Sequence, residues 1–146
     1  MEEKIIYKDL CYTINGLCFQ TQKELGRFCR EKQYADRLEQ LLLQNKIPYK
    51  REAKIQFDFN DGNKVGGNFA DFLIDDKIIL DCKAKKFITK DDYNQMQRYL
   101  SAKKATLGLI VNFRSSYLKP KRIINYNLLK QRNYDTNATN DSYHSY

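Results

Sequence analysis

The sequence predicts an α/β domain with a mixed central sheet flanked by helices. Three observations carry that expectation. Apolar residues recur at helical spacing through the N-terminal third. The period then switches to alternation, with turn signals between short runs. A helical segment next separates a third strand-like run from a fourth, as a crossover between parallel strands requires. With 146 residues, the chain fits one domain with a real core.

Taken in order, Ile6, Leu10, Ile14, Leu17, Cys18 and Leu25 form a helical stripe that Gly26 stops. A second helix carries Glu31 in its first turn and Tyr34, Leu38, Leu41 and Leu42 on one stripe, and ends over Asn45 to Pro48. Ile55, Phe57 and Phe59 alternate with polar residues as a strand does, and Asp61-Gly62-Asn63 is a turn signal. Phe69 to Ile74 reads as a second strand, Asp75-Asp76 as a tight turn and Lys77 to Ala84 as a third strand. Thr89 offers an N-cap, with Asp91 and Asp92 where carboxylates suit the helix dipole, for a helix to about Lys104. Leu107 to Phe113 is a buried strand and Arg122 to Ile124 a last one. A single domain over residues 1–132 results. Residues 133–146 are Asn, Thr, Asp, Ser and Tyr with almost no aliphatic residues, and are expected to be a disordered tail.

The net charge of +8 favours an anionic partner such as nucleic acid, although lysine also serves solubility. From Lys77 to Arg132 the acidic residues are only Asp81, Asp91 and Asp92. Cys11, Cys18, Cys29 and Cys82 form no C-x-x-C pair and His144 is the one histidine, which excludes a zinc site. Cys11 and Cys18 share a helix face and read as buried thiols. No secretory segment or long apolar run is present, so the expectation is a cytoplasmic protein with no membrane role.

Asp81-Cys82-Lys83 lies in the third strand, where alternation puts Asp81 and Lys83 on one face. Asp71 stands in the neighbouring strand within apolar sequence. Two carboxylates held close repel, and a divalent cation removes that repulsion. Mg²⁺ (or Mn²⁺) takes oxygen ligands, which suits Asp71, Asp81 and the Cys82 backbone carbonyl. Such a metal polarises a phosphate oxygen and acidifies water, while Lys83 orients that water or stabilises developing charge. The site carries a geometric condition. A two-residue turn at Asp75-Asp76 pairs Asp71 with Leu80 and points Asp71 and Asp81 to opposite faces, so a three-residue loop or a bulge is required. The alternative is two charges on a solvated strand face. Gln95 and Tyr99 share a face of the following helix. Lys85, Lys86, Lys90, Lys103, Lys104, Arg114, Lys119, Lys121 and Arg122 offer a path for a phosphate backbone, and Tyr93, Phe113 and Tyr117 offer base stacking.

These segments, in order, resemble the GxxExxY protein family, a branch of the PD-(D/E)XK nuclease superfamily. The resemblance runs from about Asp9 to Asn125 through Lys23-Glu24-Leu25-Gly26, Glu31-Lys32-Gln33-Tyr34 and Ala70-Asp71-Phe72-Leu73-Ile74. It continues through Asp81-Cys82-Lys83-Ala84, Gln95-Met96-Gln97-Arg98-Tyr99-Leu100 and Gly108-Leu109-Ile110-Val111-Asn112-Phe113. It implies a nuclease-like fold, with Asp71 and Asp81 at the two acidic positions and Lys83 at the lysine. It implies that Gln95 and Tyr99 form a Q-x-x-x-Y element, and that Glu31 and Tyr34 form the E-x-x-Y, with the glutamate able to approach the metal. Phe28 stands where the family has its naming glycine, and Asp81 where it usually has Glu. The leading reading is a Mg²⁺-dependent nuclease acting on DNA, with RNA as a second substrate class. The alternative is a catalytically inactive nucleic-acid-binding or protein-interaction module on the same fold.

Overall fold

The computed structural model describes residues 6–130. Its elements are α1 (Lys8–Leu25), α2 (Glu31–Gln44), β1 (Tyr49–Asp58), β2 (Lys64–Ile74), β3 (Ile78–Lys83), α3 (Lys90–Lys103), β4 (Leu107–Asn112) and β5 (Lys121–Ile124). A further helical turn opens at Tyr126. The expected tail at 133–146 lies outside the described residues. The strands form one sheet in the order β1-β2-β3-β4-β5. β3 and β4 are parallel and every other pairing is antiparallel. The architecture is α/β with a mixed sheet, and α3 is the crossover that the β3–β4 pairing demands.

Local chemistry explains the helix ends. Gly26 adopts φ 79, a left-handed conformation cheap only for glycine, and its N–H returns to the Gln22 carbonyl. At the start of α3, Thr89 accepts from the Asp92 N–H and the Asp92 carboxylate accepts from the Thr89 N–H, which closes a capping box.

Helices cover both faces of the sheet. α1 and α2 bury Ile14, Cys18, Leu38 and Leu42 against Phe72, Leu80, Cys82, Leu109 and Val111. α3 buries Met96, Tyr99 and Leu100 against Leu73, Ile79, Ile110 and Ile123. β3 and β4 are therefore buried on both sides and carry few polar side chains, Asp81, Lys83 and Asn112. Gly108 lets α3 come close: a Cβ there would lie 2.4 Å from Met96 Sδ.

Strand boundaries differ from the sequence reading, and β2 begins at Lys64 rather than at Phe69. β1 begins at Tyr49, earlier than the alternating stretch, where the terminal nitrogens of Arg51 pair with Asp36 and Glu39 of α2 and its guanidinium lies 5.3 Å from the Phe72 ring centre. Phe59 falls beyond the strand and is exposed. The β2–β3 turn differs too. Ile74 pairs with Ile78, so the loop is Asp75-Asp76-Lys77 and not the two residues Asp75-Asp76. Asp75 and Asp76 both adopt φ 53, a conformation aspartate tolerates better than most residues.

Tyr34 ties α2 to the loop before it. The ring is fully buried and stacks on Phe113, with centroids 4.4 Å apart and planes at 7°. Its hydroxyl donates to the Gly26 carbonyl and accepts from the Cys29 N–H. Tyr34→Phe removes both partners at once. The expected outcome is a loss of about 1–3 kcal/mol of stability, read as a lower urea midpoint with an unchanged slope.

Candidate functional site

The three-residue loop decides the geometry of the hairpin. With Phe72 opposite Leu80, the next positions along the two strands are Asp71 and Asp81, side by side. There the carboxylates take over from the backbone ladder. The Asp71 N–H donates to Asp81 Oδ1 at 3.0 Å, and the Cys82 N–H donates to Asp71 Oδ2 at 2.7 Å. Among the described residues, Asp71 Oδ1 and Asp81 Oδ2 accept no hydrogen bond. Asp81 is 4% exposed, so the alternative of a solvated strand face does not hold for it.

This pairing is electrostatically costly. Burial pushes the Asp81 carboxyl up to about 6, and the neighbouring Asp71 charge adds to the rise while Lys83 opposes it. Asp71 is raised as well, first by burial, with the Cys82 N–H and Lys83 pulling it down. An oxygen pair with surplus negative charge and two free lone-pair sites is a donor set that fits a hard divalent cation.

Lys83 shares its strand face with Asp81. Its Nζ donates to Gln95 Oε1 at 3.3 Å and lies 3.9 Å from Asp92 Oδ1. Gln95 therefore meets the lysine, and Tyr99, one helical turn on, is buried beside it. The Tyr99 hydroxyl is held above its usual range by burial and then by the charges of Asp81 and Asp71. Glu31 lies at the exposed start of α2. Partial burial raises its carboxyl, Lys83 lowers it and Asp71 raises it further, so it sits within electrostatic reach of the pair. It does not join a ligand cluster: among the described residues no three His, Cys, Asp or Glu side chains group to hold a metal.

The sequence reading treated Asp92 only as a helix-start carboxylate, yet it is buried and also salt-bridges Lys85 and approaches Lys83. Burial alone would raise it, but the Lys85 ammonium and the Thr89 N–H and hydroxyl hold it below its usual value. Its spacing of three from Gln95 on one helix was the available signal. Asn112 was missed too. It ends β4, buried, accepting from the Lys85 N–H and donating to the Lys85 carbonyl.

The basic residues separate into groups. Lys86 and Arg114 line an open pocket beside the site. Lys85 is engaged by Asp92, while Lys90 and Lys121 are exposed at the starts of α3 and β5. Lys103 and Lys104 close α3, about 13 Å along the helix from Gln95 at 1.5 Å per residue. Arg122 donates to the Ile6 carbonyl on the α1 side of the sheet. Phe113, read as a base-stacking candidate, is fully buried against Tyr34 and unavailable to a base. Tyr93 is half-buried against the α3 core, and Tyr117 is exposed. All four cysteines are free, and Cys11 and Cys18 are buried as expected. No helix among the described residues is long and apolar enough to cross a membrane.

Comparison with known proteins gives a family. The model of the PD-(D/E)XK nuclease superfamily matches residues 8–124. No curated protein matches the sequence. Among solved structures, the crystal structure of SSO0001 is similar in fold, with a TM-score of 0.50 at 19% identity. The match covers 73% of this chain and 57% of that one, so this chain spans little more than half the length of that protein.

The raised carboxyls fix the sign of a pH effect. A carboxyl whose folded pKa exceeds its unfolded value binds more protons in the folded state, so stability falls as pH rises between the two values. For Asp81 that window runs from about pH 4 to about pH 6. The expected outcome is that Asp81→Asn gains stability over the native chain on going from pH 4 to pH 7, by about 2 kcal/mol. Paired urea titrations at the two pH values measure that difference, together with the change that loss of the Asp81 charge makes in the titration of Asp71.

Proposed function

We propose, since this chain belongs to the PD-(D/E)XK nuclease superfamily, that it is a metal-dependent nuclease hydrolysing phosphodiester bonds at Asp71, Asp81 and Lys83. DNA is the leading substrate and RNA the second. The observation that carries this reading is the paired carboxylates, each with one oxygen spent on the opposite strand's backbone and one free. Asp71, Asp81 and the Cys82 backbone carbonyl would hold the metal, with Mg²⁺ or Mn²⁺ fitting their hard oxygens. When bound, the cation neutralises the carboxylate pair and supplies Lewis acidity towards a phosphate oxygen and a water.

The chain's own residues do the rest. Lys83, carried on the Asp81 face, orients the attacking water and stabilises negative charge developing on the phosphate. Gln95 holds the ammonium through its Oε1, and Asp92 Oδ1 lies 3.9 Å from it. Tyr99, buried within electrostatic reach of Asp81, backs the site. Glu31 adds negative field at the mouth of the site. The surplus of lysine and arginine, +8 in net charge, draws a phosphate backbone towards the site. Free cysteines suit a reducing compartment, and we place the protein in the cytoplasm on that ground.

The test is cleavage of single-stranded DNA, duplex DNA and RNA with and without Mg²⁺. Lys83→Ala is expected to lower the rate by about 100-fold or more while nucleic-acid affinity stays within about twofold. Added Mg²⁺ is expected to raise the melting temperature of the native chain at pH 7 and to leave that of Asp81→Asn unmoved. No cleavage of any substrate, with no shift in melting temperature, would overturn the reading and favour a binding module.

A further inference from the structure

Three loops meet at the end of the sheet where the site lies. Residues 26–30 lead from α1 into Glu31, residues 84–87 follow β3, and residues 113–117 follow β4. They are tied to one another. Asn112 bonds both backbone groups of Lys85 and accepts from the Arg114 N–H. Gln22 of α1 donates to the carbonyls of Phe113 and Ser115. Arg27 Nε donates to the Arg114 carbonyl, and Arg114 Nε donates to the Arg27 carbonyl.

Between these loops lies an open pocket of about 510 Å³ lined by Arg27, Phe28, Lys86, Arg114, Ser115 and Tyr117. Its lining carries three cations and no carboxylate. Two aromatic rings stand in it with most of their surface in water: Phe28 is 77% exposed and Tyr117 83%. The Arg27 and Arg114 guanidiniums lie 5.4 and 5.5 Å from the Phe28 ring centre, which holds the ring in place. Neither ring belongs to the core.

We infer that this pocket is a clamp for an unpaired nucleotide strand, with a base stacked on Phe28 or Tyr117 and its phosphates on Arg27, Lys86 and Arg114. The occupant follows from two kinds of chemistry in one place. Cations and serine hydroxyls bind any phosphate backbone, duplex or single-stranded. An aromatic face adds affinity only for a base whose own face is free, and in a duplex that face is already stacked on its neighbour. The inference rests on nucleic acid as the substrate and deepens it: the nuclease selects single-stranded or frayed substrates. Phe28 stands three residues before Glu31 and Lys86 three after Lys83, so the loops that line the clamp are continuous with the elements that carry the site.

The experiment measures equilibrium binding by fluorescence anisotropy, without divalent metal, so that no result depends on cleavage. The probes are fluorescein-labelled oligothymidylate, oligouridylate, a blunt duplex of equal length, and an abasic strand. The native chain is expected to bind the single strands more tightly than the duplex. Phe28→Ala and Tyr117→Ala are each expected to weaken single-strand binding by about fivefold or more and duplex binding by less than about twofold. Phe28→Trp is expected to keep the native preference. The abasic strand is expected to bind the native chain and Phe28→Ala alike. Dependence on Phe28 with either DNA or RNA supports the clamp. Equal losses on single strand and duplex, no loss in either variant, or a Phe28→Ala effect that persists on the abasic strand overturns it. Metal-dependent cleavage with no single-strand preference overturns the clamp and leaves the nuclease; the preference without cleavage supports the clamp and overturns the nuclease.

Discussion

Two carboxylates stand in for the backbone ladder where β2 and β3 part, and the site depends on that exchange. In a regular sheet, the amides of Asp71 and Cys82 would meet carbonyls of neighbouring strands. Here each meets the side chain of the opposite strand's aspartate. The hydrogen bonds do more than satisfy buried amides. They fix both carboxylates against a rigid sheet, so the repulsion between them cannot relax by rotation. Both groups are raised above the usual carboxylate range, first by burial, with the Asp71 charge adding to the rise at Asp81. The sheet thus stores unfavourable charge at neutral pH, and a bound cation would release it.

The rest of the neighbourhood is arranged around that charge. Lys83 faces Asp81 from the same strand yet reaches Gln95 and Asp92 on α3. Asp92 also holds Lys85 and caps its own helix through Thr89. One carboxylate therefore links the start of the crossover helix to the end of the strand it follows. Asn112 performs the matching task between β4 and the β3 exit. The elements that carry the site are cross-linked by buried polar contacts, which suits a centre that must hold its geometry against a highly charged substrate.

The helices were legible in the sequence because their ends carry chemistry of their own: Gly26 at one and Thr89 with Asp92 at another. The crossover was legible because a helix must separate parallel neighbours. The turn between β2 and β3 was not, since Asp75-Asp76 has the composition of a two-residue loop and only the pairing of Ile74 with Ile78 reveals that Lys77 belongs to it. The same ambiguity left the partnership of Asp71 with Asp81 conditional on a three-residue loop or a bulge. Asp71 itself was conspicuous as a charge among apolar neighbours. Asp92 was not, because its capping role already explained it. Phe113 was misassigned because a run apolar throughout does not distinguish a ring turned to the core from one turned to solvent. Phe28 carried no periodic signal, since it stands in a short connection between helices.

Gly108 bears on more than core packing. Met96 lies directly over it, and the residue before Met96 is Gln95, which grips Lys83. The absent side chain acts as a spacer of zero thickness under the crossover helix. A single methyl inserted there would work as a shim, tilting the helix about its capped end. The lysine's grip would loosen although no charged atom had been touched. The alignment of the reactive groups is in this sense also a property of the apolar packing between α3 and the sheet.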